Sequence, residues 1–288
     1  MTKYSNIIAG CMSWGKWGKQ FSTREMIAQI HMTLDAGITT FDHADIYGDY
    51  TTEQEFGNAF SQSGIKRESV QLISKCGIQR VGNARETTTK HYNTSKEYII
   101  WSVEQSLNNL QTEYLDLLLL HRPSPLMDPK EISEAICQLK EGGKILDFGV
   151  SNFTPSQVCL LESKTLVSVN QIEFSLTQRQ AMQNGLLDQL LKDEITPMSW
   201  SPLGNFFKEK NKANQRIKKV LDKLAKKYKA TEAQLLLAWI MKHPSQVIPV
   251  IGTTNKKRIK NAVQSLEIEL ALEDWFILLE QCQGHPVL

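Results

Sequence analysis

The chain has 288 residues, 41% of them hydrophobic, and a formal net charge of +2 at pH 7. That length allows one α/β barrel or two small domains and is ample for a large buried core. The near-neutral balance gives no basis for a nucleic-acid partner or an anionic membrane, and no stretch approaches the roughly 18 apolar residues of a transmembrane helix. The start, "MTKYSNIIAG", lacks the apolar h-region of a signal peptide. The five cysteines form no CxxC pair, and an odd count argues against a disulfide framework, so a reducing cytoplasm is expected.

Strand-like runs occur at 6–11, 38–42, 70–75, 115–120, 146–150, 167–172, 195–200 and 247–251. Helical patterns separate them. "STREMIAQIHMTLDAG" (22–37) opens on a Ser/Thr cap with Glu25 in its first turn and ends at Gly37. "TSKEYIIWSVEQSLNNLQ" (94–111) is capped by Thr94 or Ser95, and "DPKEISEAICQLKEGG" (128–143) starts at Asp128 with Pro129 at the first helical position. Shorter patterns follow at 154–163 and 184–193, then a nearly all-apolar one at 231–243 and a last helix at 273–282. The Lys/Arg clusters at 208–219 and 223–229 read as solvated helix faces. Continuous runs such as "LDLLLL" imply strands buried on both sides, hence a parallel sheet. Eight strands alternating with helices predict a single (β/α)8 TIM barrel over 1–288, with a doubly wound open sheet as the alternative. No G-x-G-x-x-G follows a strand, which argues against a Rossmann site.

Four residues sit just past strand-like runs: Asp42 and Tyr47 in "GITTFDHADIYG" (37–48), Lys75 in "VQLISKCG" (70–77) and His121 in "YLDLLLLHRP" (114–123). In a parallel barrel the C-terminal strand ends converge on one mouth. The chemistry is coherent. A tyrosine, with pKa near ~10, is a poor proton donor at neutral pH unless a lysine ammonium stabilises its phenolate. A carboxylate keeps that lysine charged, and a histidine beside the phenol polarises a carbonyl oxygen. Cys76, next to Lys75, reads as apolar filler at a strand end, with a redox role as the less favoured reading.

These residues, in this order and spacing, resemble the aldo-keto reductase family over nearly the whole chain, in its compact bacterial NADPH-dependent form. The resemblance makes Asp42, Tyr47, Lys75 and His121 the catalytic tetrad. It assigns the nicotinamide carboxamide to Ser151 and Asn152 of "FGVSNF" (148–153) and Gln171 of "VNQIEFS" (169–175). In "SWSPLG" (199–204) it makes Trp200 the stacking platform, with Ser201 and Leu203 at the pyrophosphate. In "VIPVIGTTNKKRIKNA" (247–262) it places Thr253, Arg258 and Asn261 at the adenosine 2′-phosphate and adenine. Trp14 matches a substrate-pocket position, and 77–94 and 205–215 are further candidates for the pocket and a cofactor clamp.

Two features depart from the family. Gly252 stands where many members carry a phosphate-binding lysine, so NADPH is favoured over NADH less firmly, with Lys256, Lys257 and Arg258 supplying the charge. The N-terminal hairpin that plugs the barrel is absent or vestigial. The implied activity is reduction of small aldehydes and ketones with Tyr47 as general acid, in an open pocket, without metal, by a monomer or weak oligomer. The alternative is an NADPH-binding redox sensor or regulatory subunit with little turnover.

Overall fold

A computed structural model describes residues 3–287. In chain order the strands are β1 (Ile8–Gly10), β2 (Thr40–Asp42), β3 (Gln71–Cys76), β4 (Ile78–Gln79), β5 (His91–Tyr92), β6 (Leu115–Leu120), β7 (Ile145–Ser151), β8 (Val169–Glu173), β9 (Thr196–Trp200) and β10 (Ile248–Ile251). Eight form a closed barrel in the order β1-β10-β9-β8-β7-β6-β3-β2, and β4 and β5 make a separate two-stranded sheet. All eight predicted strands are present, and the open-sheet alternative is excluded. Among the described residues no hairpin precedes β1. Instead Lys3 and the Tyr4 hydroxyl both reach Asp147 in β7, at 2.8 and 3.2 Å.

The chain divides into two compact units, Met1–Gln171 and Ile172–Leu288. In the first, parallel pairing sets Asp42 beside Ile73, Lys75 beside Leu119, and Ser151 beside Gln171. β6 is buried along its whole length, as its leucine run requires. Helices begin where the sequence supplies caps. Ser22 and Glu25 form a capping box at the helix Thr23–Asp35, Ser95 caps Lys96–Leu110, and Asp128 caps a helix that opens with Pro129. Each such cap is worth about 1 kcal/mol. The helix Thr52–Phe60 was not expected. Its Gly57 lies so close to the backbone of Asn109 and Leu110 that a side chain would collide with them.

In the second unit β9 pairs with β10, Ile248 beside Met198. The basic clusters form one helix, Lys212–Tyr228, that buries Ile217, Leu221 and Leu224. Its start, capped by Asn211, places part of the expected clamp segment in a helix rather than a loop. Trp239 and Trp275 stack at 4.8 Å, and each indole N–H donates to the other's backbone carbonyl at 3.1 and 2.9 Å.

Candidate active site

In the first unit the C-terminal ends of β2, β3 and β6 bring the tetrad together. Lys75 is 1% exposed, and its Nζ donates to both carboxylate oxygens of Asp42 at 2.8 Å and to the His43 carbonyl at 2.7 Å. The same nitrogen lies 3.1 Å from the Tyr47 hydroxyl. Burial pulls the Lys75 pKa down, but Asp42 and Tyr47 together outweigh it and hold it above the ordinary lysine value. The ammonium therefore stays charged in an apolar setting, which an unpaired lysine would not do.

Tyr47 follows a loop whose backbone amides bond to β3: His43 N–H donates to Ile73 O and Asp45 N–H to Lys75 O. The tyrosine's own carbonyl accepts from Thr51 and Thr52 at 3.2 Å, anchoring it to the helix Thr52–Phe60. After it Gly48, Asp49 and Tyr50 all adopt positive φ. The glycine takes this freely, whereas the next two residues bear strain of about 1 kcal/mol or more each. Burial of the phenol raises its pKa, and the opposing pull of Lys75 does not overcome it. Burial outweighs the lowering by Lys75, so the resting group is firmly protonated. Lys75 acts instead on the phenolate that forms as the proton leaves.

His121 stands edge-on to Tyr47, ring centroids 6.1 Å apart. Burial and the cations Lys75, Arg122 and Lys90 hold its pKa well below the ordinary value, so the imidazole is neutral. A neutral ring donates one hydrogen bond without competing for the proton. Its Nδ1 is buried with no hydrogen-bond partner among the described residues.

The three amide-site residues also converge. Ser151 Oγ donates to the Gln171 carbonyl at 3.0 Å and accepts from Asn152 Nδ2 at 2.8 Å. Asn152 has φ +59, and its N–H donates to Gln171 O at 2.9 Å. The Gln171 side chain meets the tetrad, Nε2 donating to Asp42 Oδ1 at 2.8 Å. This hydroxyl with two neutral amides fits a primary carboxamide, which both donates and accepts.

Trp14 is not a pocket residue. It is 1% exposed and packs among Phe21, Phe41 and Phe56 at 6.0–6.4 Å. Trp17, partly buried and 6.2 Å from the Tyr47 ring, is the tryptophan beside the tetrad, capped by the Arg80 guanidinium at 4.3 Å. Cys76 is buried, and burial pushes its thiol pKa far up, which leaves it the bland strand-end role. Behind the tetrad lie two buried acids that sequence reading passed over. Burial raises Asp45 to about 6 against the pull of Arg85, and burial raises Glu53 to about 7 while Ser74 donates to it at 2.5 Å. The acid three places after Asp42 in "DHAD" was the available signal for Asp45. Arg122, which donates to His121 O at 3.1 Å and Ser151 Oγ at 3.3 Å, was signalled by its place beside His121.

In the second unit, Trp200 ends β9 and is partly buried, Ser201 has φ +49, and Leu203 lies in the turn that follows. After β10, Thr253 leads into the helix Lys256–Gln264, where the Asn255 side chain accepts from Arg258 N–H at 3.1 Å. Lys256, Lys257 and Arg258 are exposed, and Asn261 lies one turn on. Cations on a first helical turn fit a phosphate.

The site is thus a buried Lys–Asp pair set against a tyrosine hydroxyl in a parallel barrel. A model of the aldo/keto reductase family matches residues 6–280, and the chain belongs to that family. It is 40% identical over 292 residues to the uncharacterized oxidoreductase YcsN of Bacillus subtilis (99% of this chain, 96% of that protein). It is 37% identical to a 6-dehydroglucose reductase of Agrobacterium fabrum (90% and 88%). Among solved structures, an aldo-keto reductase from Klebsiella pneumoniae in complex with NADPH superposes with a TM-score of 0.79 at 24% identity, covering 99% of this chain and 97% of that one.

Proposed function

We propose that the protein reduces small aldehydes and ketones to alcohols with NADPH, Tyr47 serving as general acid. The observation that carries this reading is the Lys75 ammonium, bound to both oxygens of Asp42 at 2.8 Å and 3.1 Å from the Tyr47 hydroxyl. The cofactor supplies hydride to the carbonyl carbon. Neutral His121 donates a hydrogen bond to the carbonyl oxygen and fixes it near Tyr47. As charge develops on that oxygen, Tyr47 gives up its proton and Lys75 stabilises the phenolate, so a fixed charge does the work at no reorganisation cost.

Ser151, Asn152 and Gln171 are the residues proposed for the nicotinamide carboxamide. Trp200, Ser201, Leu203, Thr253, Arg258 and Asn261 are those proposed for the remainder of the dinucleotide. The family match runs through both units, which supports a single functional domain. Five free cysteines support a reducing cytoplasm. The test is NADPH consumption by purified protein over a panel of aldehydes, ketones and quinones, with NADH in parallel. Turnover of small carbonyls with NADPH preferred supports the reading. Tight NADPH binding without turnover on any carbonyl replaces it with a sensor.

A further inference from the structure

The two-stranded sheet of β4 and β5 lies in the first unit and has two unlike faces. Its register sets Ile78 beside Tyr92 and Gln79 beside His91. Ile78 is buried with Ala44 and Ile46, and Tyr92, Tyr47 and Trp17 pack on the same cluster. The Ile78–Tyr92 face is therefore turned toward the tetrad tyrosine. Gln79 and His91 stand on the other face, where they line a polar pocket with Arg85 and Glu86.

Side chains alternate along a strand, so the next pair in this register, Arg80 and Lys90, returns to the Tyr47 side. Two observations agree with that placement. The Arg80 guanidinium lies 4.3 Å from the centre of the Trp17 ring, and that ring is 6.2 Å from the Tyr47 ring. Lys90 adds to burial, Lys75 and Arg122 in holding the His121 pKa down.

Like charges directly opposite one another on paired strands repel, and the nearby carboxylates do not cancel these two. Asp49 is divided between Lys16 at 2.9 Å and Arg80 at 3.4 Å. Asp45 is taken by Arg85 at 3.1 Å. Lys90 is exposed and, among the described residues, forms no ion pair. Stacking on Trp17 occupies the face of the Arg80 guanidinium and leaves its N–H edge for oxygen acceptors. That edge is the fork that takes a carboxylate or a phosphate.

From this geometry, and resting on the reductase reading above, we propose that the substrates are short carbonyl compounds carrying an anionic group, a carboxylate or a phosphate, bound by Lys90 and Arg80. Lys90 supplies a mobile point charge and Arg80 a fixed fork. The seated anion relieves the repulsion between the two cations and delivers the carbonyl oxygen to Tyr47 and His121. Neither residue gives the reacting proton, and both determine specificity.

The test uses matched substrates with NADPH: succinic semialdehyde against its methyl ester, and glyceraldehyde 3-phosphate against glyceraldehyde. Wild-type protein is expected to favour the charged member of at least one pair about tenfold in kcat/KM, mainly through KM. The pair that shows the preference tells carboxylate from phosphate. Raising the salt to about 1 M is expected to shrink it several-fold. In Lys90→Met the charged-to-neutral ratio is expected to fall about tenfold, whereas Lys90→Arg keeps the charge and most of the preference. Lys90→Glu is expected to turn the preference toward the neutral member. Wild-type protein that favours the neutral member of both pairs, or neither member, overturns the proposal. So does a loss in Lys90→Met that falls equally on both members, the mark of a merely structural lysine. Turnover of neutral carbonyls alone sinks this inference and leaves the reductase reading standing. Protein that turns over no carbonyl, charged or neutral, sinks both.

Discussion

The charges at the ends of β2 and β3 and the charges on the helix Lys256–Gln264 are opposite solutions to holding a cation. Lys75 is 1% exposed, bonded to three oxygens besides Tyr47, and kept ionised by Asp42 and Tyr47 against its burial. Lys256, Lys257 and Arg258 are exposed on a first helical turn, where water sustains their charge without a partner. Buried charge is all-or-nothing: removing one partner strands the other at a cost of several kcal/mol. Exposed charge is graded and screened by salt. The first arrangement suits chemistry at one atom, and the second suits grip on a diffuse anion.

Lys75→Met breaks the comparison hardest. It is expected to lower kcat by 10²–10⁴, the range for a disabled general acid, and steady-state kinetics at saturating NADPH reads it. Glu53→Gln probes a buried acid next to the same strands. Because its folded pKa is raised from 4.5 to about 7, the folded state binds more protons than the unfolded one between those values. Stability from this group is full at the acid end and falls as pH rises through about 7. Neutral Gln is expected to recover roughly 3 kcal/mol above that window and nothing below it, checked by urea unfolding at pH 5 and 8.

On the exposed side, Arg258→Ala is expected to weaken NADPH binding about tenfold and NADH binding hardly at all, with the difference shrinking as salt is added. Gly252 offers a sharper version, since a Cβ built there meets nothing within 4 Å. Gly252→Lys is expected to fit and to increase the preference for NADPH several-fold, measured as the ratio of the two dissociation constants. The smallest effect concerns thiols: Cys137 and Cys159 are exposed and are expected to react with a disulfide reagent in the folded protein, whereas buried Cys11 and Cys76 are expected to react only on unfolding.

The same contrast explains what the sequence made legible. Strands announced themselves as apolar runs, and helices such as Thr23–Asp35 announced themselves by their caps, because both signals are local. The tetrad was legible because Asp42 and Lys75 end such runs, His121 directly follows one and Tyr47 lies in the loop after Asp42. The helix Thr52–Phe60 was hidden by Gly57, a poor helix residue there for close contact with Asn109 and Leu110, over fifty positions away. The exclusion of Trp14 from the pocket, and the place of Trp17 beside Tyr47, depend on packing against Phe41, Phe56 and Arg80, which no local pattern encodes. For Tyr47, likewise, the lysine is visible in sequence and the burial that outweighs its pull is not.

The central claim is that Tyr47, supported by Lys75 and Asp42, is the proton donor of a carbonyl reductase. Its most direct test sets Tyr47→Phe against wild type, measuring NADPH binding and NADPH-dependent carbonyl turnover on the same preparations. The account predicts unchanged binding with turnover reduced at least about a hundredfold. Turnover that survives the substitution would contradict it and move the proton donor elsewhere in the site.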